Sequence, residues 1–274
     1  DNFRHPDQEK MTSIIEKIQP LLKGDVNLLP QGPNILVADT GRIGENQVRT
    51  ADAFTTKWEM VDYGDEDFQR LLEKQKAWYL EKYGFEDEAD LARHLSSCAY
   101  VLDAGTGNAM KAAWLAELSP STTVVAADIS GSLTDAAKYY QDRPNMVFIH
   151  CDIGDLSFLE SGVIDFVNCD EVIHHTADPE GTFAELVRVT RPGGSLACYV
   201  YRRKALPREL LDEHFREYSK TLSDEELKQL ASQLTDLGKL LSSLDEDLSF
   251  PDIPALGIEG GQITVQRFIY WNFI

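Results

Sequence analysis

Residues 100–113 read YVLDAGTGNAMKAA, and this stretch decides the fold. It opens with a short apolar run, continues through Asp103 and two closely spaced glycines, and ends in an alanine-rich segment. That order predicts a buried strand, a tight turn and a helix. Glycine permits the sharp turn and lets a ligand approach the backbone, and the free N–H groups of the helix start face the same cleft. Gly105 and Gly107 therefore mark a candidate ligand-binding loop.

Two classes of ligand use such a loop. A dinucleotide fingerprint has a third Gly or Ala at the sixth position, where this chain has Met110. The carboxylate of Asp103 would repel a diphosphate, but it suits a ligand that carries an ammonium and a sulfonium. The segment resembles motif I of the class I S-adenosylmethionine-dependent methyltransferases, whose pattern is an acidic residue, any residue, Gly, any residue, Gly. A nicotinamide-dependent oxidoreductase is the less favoured alternative.

Further acidic residues follow the next two predicted strands. Asp128 ends the apolar run 124–127, and an acid there can accept both ribose hydroxyls in methyltransferases and in nicotinamide enzymes alike. The resemblance implies that Asp152, after the strand 145–150, meets the adenine amino group. Cys169, at the end of the strand 163–169, is a candidate for a backbone contact with the ligand. The predicted cofactor-binding residues are Asp103, Ala104, Gly105, Thr106, Gly107, Asp128, Ile129, Asp152, Ile153 and Cys169.

A second set of motifs follows in order. Residues 172–175 read VIHH, Asp178 and Pro179 start a helix, and the RPGG of 191–194 precedes a strand at 195–201. Over residues 98–201 the chain is similar to the small-molecule methyltransferases related to quinone and sterol methylases. The resemblance implies an α/β fold with a Rossmann-like, mostly parallel sheet and helices on both faces. It also implies S-adenosyl-L-methionine as cofactor and a small-molecule methyl acceptor.

Three regions are predicted along the chain. Residues 1–64 form a helix at 7–23 and an extended arm, with one short strand candidate at 34–38. Residues 65–201 form the cofactor-binding core with its preceding helices, and residues 202–274 form a helical cap or substrate region. Class I methyltransferases usually complete the sheet with two more strands, the last one antiparallel. No convincing hairpin is visible after the leucine-rich segment 227–244, so we expect those strands to lie outside this chain.

The segment 54–64 is dense in aromatic residues. In the family that this chain resembles, the segment before the sheet folds over the cofactor, and aromatic faces hold a sulfonium by cation–π attraction. Trp58 and Tyr63 are therefore candidate cofactor contacts. Equally, they can pack against the first helix layer.

His174 and His175 are the candidate catalytic residues, as general bases for an acceptor that must lose a proton. The alternative is that one histidine packs under the following helix and the other caps a turn. Adjacent histidines on a strand end point in different directions, so no metal site is predicted.

A regular stripe of leucines, 227–244, follows a capping box at Ser223–Glu226. The stripe predicts a face that covers a core or, alternatively, forms a homodimer seam. A non-catalytic cofactor-binding scaffold, held together by this stripe, is a second alternative to the enzyme.

Composition limits the partners. Lys and Arg number 26 against 46 Asp and Glu, a formal net charge of −20, which disfavours nucleic acid. No apolar run is long enough to cross a bilayer, and the charged start is not a secretory leader, so no membrane partner is predicted. Four cysteines lie in or beside predicted strands, without zinc spacing, as expected for free thiols in a reducing cytoplasm.

Overall fold

A computed structural model describes residues 6–24, 26, 28–32, 35–38, 44–59 and 66–273. The chain divides into two units, residues 1–200 and 201–274, and each is described by itself.

The first unit is built on a seven-stranded sheet. Its strands are β1 (Leu29–Gly32), β2 (Ile35–Val37), β3 (Tyr100–Ala104), β4 (Thr123–Asp128), β5 (Met146–His150), β6 (Ile164–Asp170) and β7 (Thr190–Tyr199). Their spatial order is β1-β2-β5-β4-β3-β6-β7, and all neighbours are parallel except β1 and β2. From β3 the chain first builds the sheet toward β5 and then returns to build β6 and β7 on the other side. Ligands bind outside the carboxyl ends of the strands at such a switch point, here between β3 and β6.

Helices cover both faces of this sheet. They are α1 (Pro6–Ile18), α2 (Glu45–Glu59), α3 (Glu66–Tyr83), α4 (Glu88–Ser96), α5 (Met110–Leu118), α6 (Leu133–Tyr139) and α7 (Pro179–Val189). Successive strand residues point to opposite faces, so Val101 packs with α4, α5 and α6, whereas Leu102 packs with α1 and α7. The predicted α/β architecture with a mostly parallel sheet is confirmed.

The helix α7 starts as its sequence predicts. The Asp178 side chain caps it by accepting from the Gly181 N–H, and Pro179 occupies the first turn. Its inner face buries Leu186 and Val189, whereas Phe183 is exposed.

The extended arm predicted between the first helix and residue 50 is wrong for the residues that the structure describes. Ile35 and Leu36 are buried, and β2 pairs with β5 while β1 adds an antiparallel edge strand. The helix α2 already begins at Glu45. The strand candidate at 34–38 is confirmed as β2, whereas β1 was not predicted, because it is only four residues long and lies in a Pro- and Gly-rich segment.

The second unit contains α8 (Leu206–Ser219), α9 (Asp224–Ser242), β8 (Asp247–Phe250), β9 (Gly261–Thr264) and α10 (Val265–Asn272). The strands β8 and β9 form an antiparallel pair in a sheet of their own, so our expectation that no hairpin follows the leucine-rich segment is wrong. The capping box of α9 is confirmed at Ser223 and Glu226. Leu237 and Leu240 of the leucine stripe are exposed in the single chain. Among all described residues, no helix combines the length and apolar character that crossing a membrane requires.

Candidate active site

The glycine loop lies between β3 and α5, as the opening stretch predicts. Gly105 has φ +77° and Gly107 has φ +56°, values that favour glycine. The N–H groups of Gly105 and Thr106 donate to the Ala127 carbonyl at 2.8 and 3.0 Å, which ties the loop to the end of β4. A Cβ on Gly107 would lie 2.7 Å from the indole nitrogen of Trp58, so this glycine is also required for close packing.

Asp103 lies at the end of β3 beneath this loop. Its carboxylate is 3% exposed, and its oxygens accept from the Thr106 hydroxyl at 2.5 Å and the Asn168 amide at 2.6 Å. Burial raises the pKa of Asp103, and these two hydrogen bonds oppose the shift. Thr106 and Asn168 thus hold this carboxylate beneath the loop, and its contact with a bound ligand stays a prediction.

Asp128 ends β4 and faces the same loop. One carboxylate oxygen accepts from the Gly107 N–H at 2.7 Å, and the other accepts from the Ser130 N–H at 2.7 Å and the Ser130 hydroxyl at 2.6 Å. The neighbouring Ile129 carbonyl accepts from the His150 ring at 2.8 Å. The end of β4 is therefore fixed by hydrogen bonds on both sides of Asp128.

Asp152 follows β5 and lines a cavity of about 670 Å³. One of its oxygens accepts from the Gly154 N–H at 2.8 Å, and Thr176 and Thr182 line the same cavity. Ile153 is buried in the adjoining core. The carboxyl ends of β3, β4 and β5 thus each carry an aspartate, at Asp103, Asp128 and Asp152.

The helix α2 contacts the loops that follow β3, β4 and β6. Besides the contact of Trp58 with Gly107, the Thr55 hydroxyl accepts from the Gly131 N–H at 2.9 Å, after β4. The Phe54 ring meets the His175 ring with centroids 5.0 Å apart, after β6. Trp58 is therefore placed at the glycine loop. Tyr63, the other aromatic candidate, lies outside the described residues.

His174 and His175 lie on a 3₁₀ turn, 173–175, and not on the strand end itself. Their ring centroids are 4.2 Å apart, so our expectation that they point in different directions is wrong. Lost solvation in the cleft, followed by His174 and Lys57, lowers the pKa of His175 to about 4. Lost solvation also lowers the pKa of His174. Both imidazoles are consequently neutral at neutral pH.

Sequence reasoning missed a charged cluster at Asp170, the last residue of β6. Its carboxylate accepts from Lys82 at 2.5 Å and from Tyr83 at 2.7 Å, both on α3, and also from Lys111 on α5. Burial alone would raise the pKa of Asp170, but the Lys111 ammonium and the hydrogen bonds lower it. Glu171, the next residue, has φ +65°, an uncommon backbone conformation for a residue other than glycine. The available signal was the helical spacing of Tyr79, Lys82 and Tyr83, which lie at positions i, i+3 and i+4 of α3.

Cys169 precedes this cluster and is fully buried. It lies opposite Cys198 in the register of β6 and β7. The hydrogen bond with Cys198 and burial raise the pKa of the Cys169 thiol, which opposes a nucleophilic role. All four cysteines are free thiols.

The residues at this edge of the sheet fit S-adenosyl-L-methionine. The side chains of Val172 and Trp58 pack directly against Gly105 and Gly107, and the carboxylates of Asp128 and Asp152 retain lone pairs for ligand hydroxyl and amino groups. Within the described residues, no group of three His, Cys, Asp or Glu side chains is arranged to hold a metal ion.

Comparisons with known proteins point to the same region. Residues 102–198 match the family described as "Methyltransferase domain". An uncharacterized protein of Synechococcus sp. is 34% identical over 105 residues, which are 37% of this chain and 25% of that protein. A ubiquinone biosynthesis O-methyltransferase of Xanthomonas oryzae pv. oryzae is 27% identical over 100 residues, 36% of this chain and 41% of that protein. The matches thus span between 25% and 41% of the length of these relatives.

Among solved structures, the PH0226 protein from Pyrococcus horikoshii OT3 is 24% identical with a TM-score of 0.41, over 65% of this chain and 69% of that one. Residues 102–198 are thus similar to methyltransferase domains, and the mostly parallel sheet agrees with the predicted resemblance to class I methyltransferases that use S-adenosyl-L-methionine.

Proposed function

We propose that this chain transfers a methyl group from S-adenosyl-L-methionine to a small-molecule acceptor by in-line displacement. The observation that carries the proposal is the set of aspartates at the carboxyl ends of the neighbouring strands β3, β4 and β5, together with the glycine loop that follows β3 and is contacted by α2. The formal net charge of −20 disfavours a nucleic acid as acceptor. The similar Xanthomonas protein is named an O-methyltransferase of ubiquinone biosynthesis, which favours a hydroxyl group on a small molecule.

Each candidate residue has a defined part in holding the cofactor. Asp128 accepts from the ribose hydroxyls, Asp152 accepts from the adenine amino group, and the backbone of Gly105 and Gly107 borders the amino acid portion. Trp58, which lies against Gly107, closes the loop from the side of α2. Ile129 and Ile153 adjoin the two aspartates and supply apolar contacts to the adenine, and Cys169 contributes only its backbone.

The bound cofactor supplies a methyl group that the sulfonium has already activated. The protein's own task is therefore to hold the acceptor in line and to exclude water. An acceptor hydroxyl also has to lose its proton. His174 and His175 are neutral and lie after β6, next to the α2 contact at Phe54, so either imidazole can take that proton.

The test measures binding and turnover separately. Calorimetric titration with S-adenosylmethionine, and in parallel with NAD, identifies the nucleotide. Incubation with isotope-labelled cofactor and a panel of phenols, carboxylic acids, amines and thiols, followed by mass spectrometry, identifies the acceptor class. We expect S-adenosylhomocysteine and a labelled phenol as products. Cofactor binding without transfer to any class would instead indicate a non-catalytic binding protein, and binding of NAD alone would overturn the proposal.

Two further expectations belong to this proposal. The buried free thiols fit a reducing cytoplasm as the compartment. The exposed leucines of α9 fit a homodimer seam, which sedimentation of the purified chain would test.

A further inference from the structure

Four buried side chains form an unbroken line of hydrogen bonds under the glycine loop. The Tyr79 hydroxyl on α3 donates to the Asn168 side-chain oxygen at 3.0 Å, and the Asn168 amide donates to Asp103 at 2.6 Å. Thr106 donates to the other oxygen of Asp103 at 2.5 Å. Exposed fractions are 1% for Tyr79, 0% for Asn168, 3% for Asp103 and 9% for Thr106. The line therefore connects α3, β6, β3 and the loop inside the protein.

Asn168 has to donate and accept at the same time. A carboxylate such as Asp103 only accepts, so the amide nitrogen of Asn168 must face it, and the amide oxygen is left for Tyr79. An aspartate in place of Asn168 would put two buried carboxylates in contact. A leucine would leave both Asp103 and Tyr79 without this partner, and an unmade buried hydrogen bond is costly.

We propose that Asn168 is a positioning residue for cofactor binding: it fixes the Asp103 carboxylate, and Asp103 in turn fixes Thr106 and the loop of Gly105 and Gly107. This inference rests on the proposed function, because it assumes that this loop holds the cofactor. Thr106 lies between the two glycines, and its backbone N–H donates to the Ala127 carbonyl. Any rotation of the Asp103 carboxylate therefore moves the segment that the ligand would touch.

The same helix face continues the connection. Lys82 and Tyr83 follow Tyr79 by three and four positions on α3, and both donate to Asp170, two residues beyond Asn168 on β6. The polar face of α3 thus contacts β6 at Asn168 and at Asp170. Of these two residues, Asn168 is the one whose hydrogen bonds continue through Asp103 to the glycine loop.

The experiment compares variants of the full chain by calorimetric affinity for S-adenosylhomocysteine and by thermal unfolding. We expect Asn168→Leu and Asn168→Asp each to weaken affinity about tenfold, as the loss of one well-made buried hydrogen bond does. The double variant Asp103→Asn with Asn168→Asp exchanges donor and acceptor and restores the hydrogen bond between the two side chains, so it should bind more tightly than Asn168→Asp alone. Tyr79→Phe keeps the ring and removes only the outer hydrogen bond, and about a threefold loss is expected.

Asn145→Leu is the matched control. The Asn145 amide donates to the carbonyls of Ala116, Ser119 and Thr122, away from the loop, so its loss should lower the unfolding temperature without changing affinity. Unchanged affinity in folded Asn168→Leu and Tyr79→Phe, or a folded double variant that binds no better than Asn168→Asp, would overturn the positioning role. A wild-type chain that binds neither S-adenosylmethionine nor S-adenosylhomocysteine would instead defeat the proposed function itself.

Discussion

The Asp128 carboxylate holds the N–H of Gly107 at 2.7 Å, across the gap between the end of β4 and the glycine loop after β3. Asp128 is only 8% exposed, and its second oxygen is occupied by Ser130. Asp128, which we propose as the acceptor for the ribose hydroxyls, therefore also holds the glycine loop in place within the protein. Its two roles predict two separable effects of mutation.

Replacing Asp128 with alanine should weaken affinity for S-adenosylmethionine by about 1–3 kcal/mol, since both the ribose acceptor and the restraint on Gly107 are lost. The free energy of unfolding should fall as well, because the donors on Gly107 and Ser130 lose their acceptor. Asp128→Asn keeps one acceptor oxygen and should show a smaller loss of stability. Calorimetry and urea unfolding measure the two effects.

Asp135→Ala serves as the control for Asp128. Asp135 lies on α6 with its side chain 66% exposed and pairs with Lys138, so affinity and stability should change little. Equal affinities for wild type and Asp128→Ala would show that Asp128 does not anchor the ribose.

The contact between Gly107 and Trp58 gives a second prediction. Gly107→Ala adds a Cβ that would lie 2.7 Å from the Trp58 indole nitrogen, at a position with φ +56°. We expect a lower free energy of unfolding, both from the strained backbone and from the clash, together with weaker cofactor binding. In the double variant with Trp58→Ala, the share of the lost unfolding free energy that comes from the clash should be recovered.

Gly84→Ala separates these two contributions. Gly84 also has a positive φ, +77°, but nothing lies within 4 Å of its added Cβ, so only the backbone term of about 1–2 kcal/mol applies. If urea unfolding shows equal losses for Gly84→Ala and Gly107→Ala, the indole does not restrain the loop.

Local sequence rules predicted the central strands and the start of α7 correctly. The apolar run that ends at Asp103 predicts a strand, and Asp178 predicts a helix start. Both signals depend only on residues a few positions away, so a single sequence contains them. The strand β7 starts at Thr190, before the predicted start at residue 195, and the segment 191–194 is itself part of this strand.

Long-range pairings were not legible in the same way. Asn168 reads as one more residue in an apolar strand, and its partner Tyr79 is 89 positions away. The pairing of Ile35 with Phe148 likewise depends on a strand far along the chain. The strand or helix propensity of a residue does not predict such contacts, because tertiary packing and not the neighbouring sequence determines them.

The cluster at Asp170 gives a third prediction. The Asp170 side chain is 2% exposed and neutralises Lys82, which is 9% exposed. Asp170→Asn should therefore lower the free energy of unfolding by about 3 kcal/mol, because it leaves a buried ammonium without its counter-charge. Lys82→Met, which removes the ammonium together with its desolvation, should restore part of that loss in the double variant. Urea unfolding that shows Asp170→Asn to be as stable as the wild type would contradict the pairing.

The His175 imidazole gives the last prediction, on pH. Its pKa is about 4 in the folded protein, against an ordinary value of 6.5. Between these two pH values the unfolded chain binds more protons at this position than the folded chain does, so His175 makes stability fall as the pH is lowered from 6.5 toward 4. His175→Gln should remove that contribution. As the pH is lowered from 6.5 toward 4, the urea midpoint of unfolding should therefore fall less for the variant than for the wild type. The ring resonances in an NMR titration give the pKa directly; a midpoint near 6.5 would show that the cleft does not desolvate His175 and would remove the basis for a neutral imidazole as proton acceptor in weakly acidic solution.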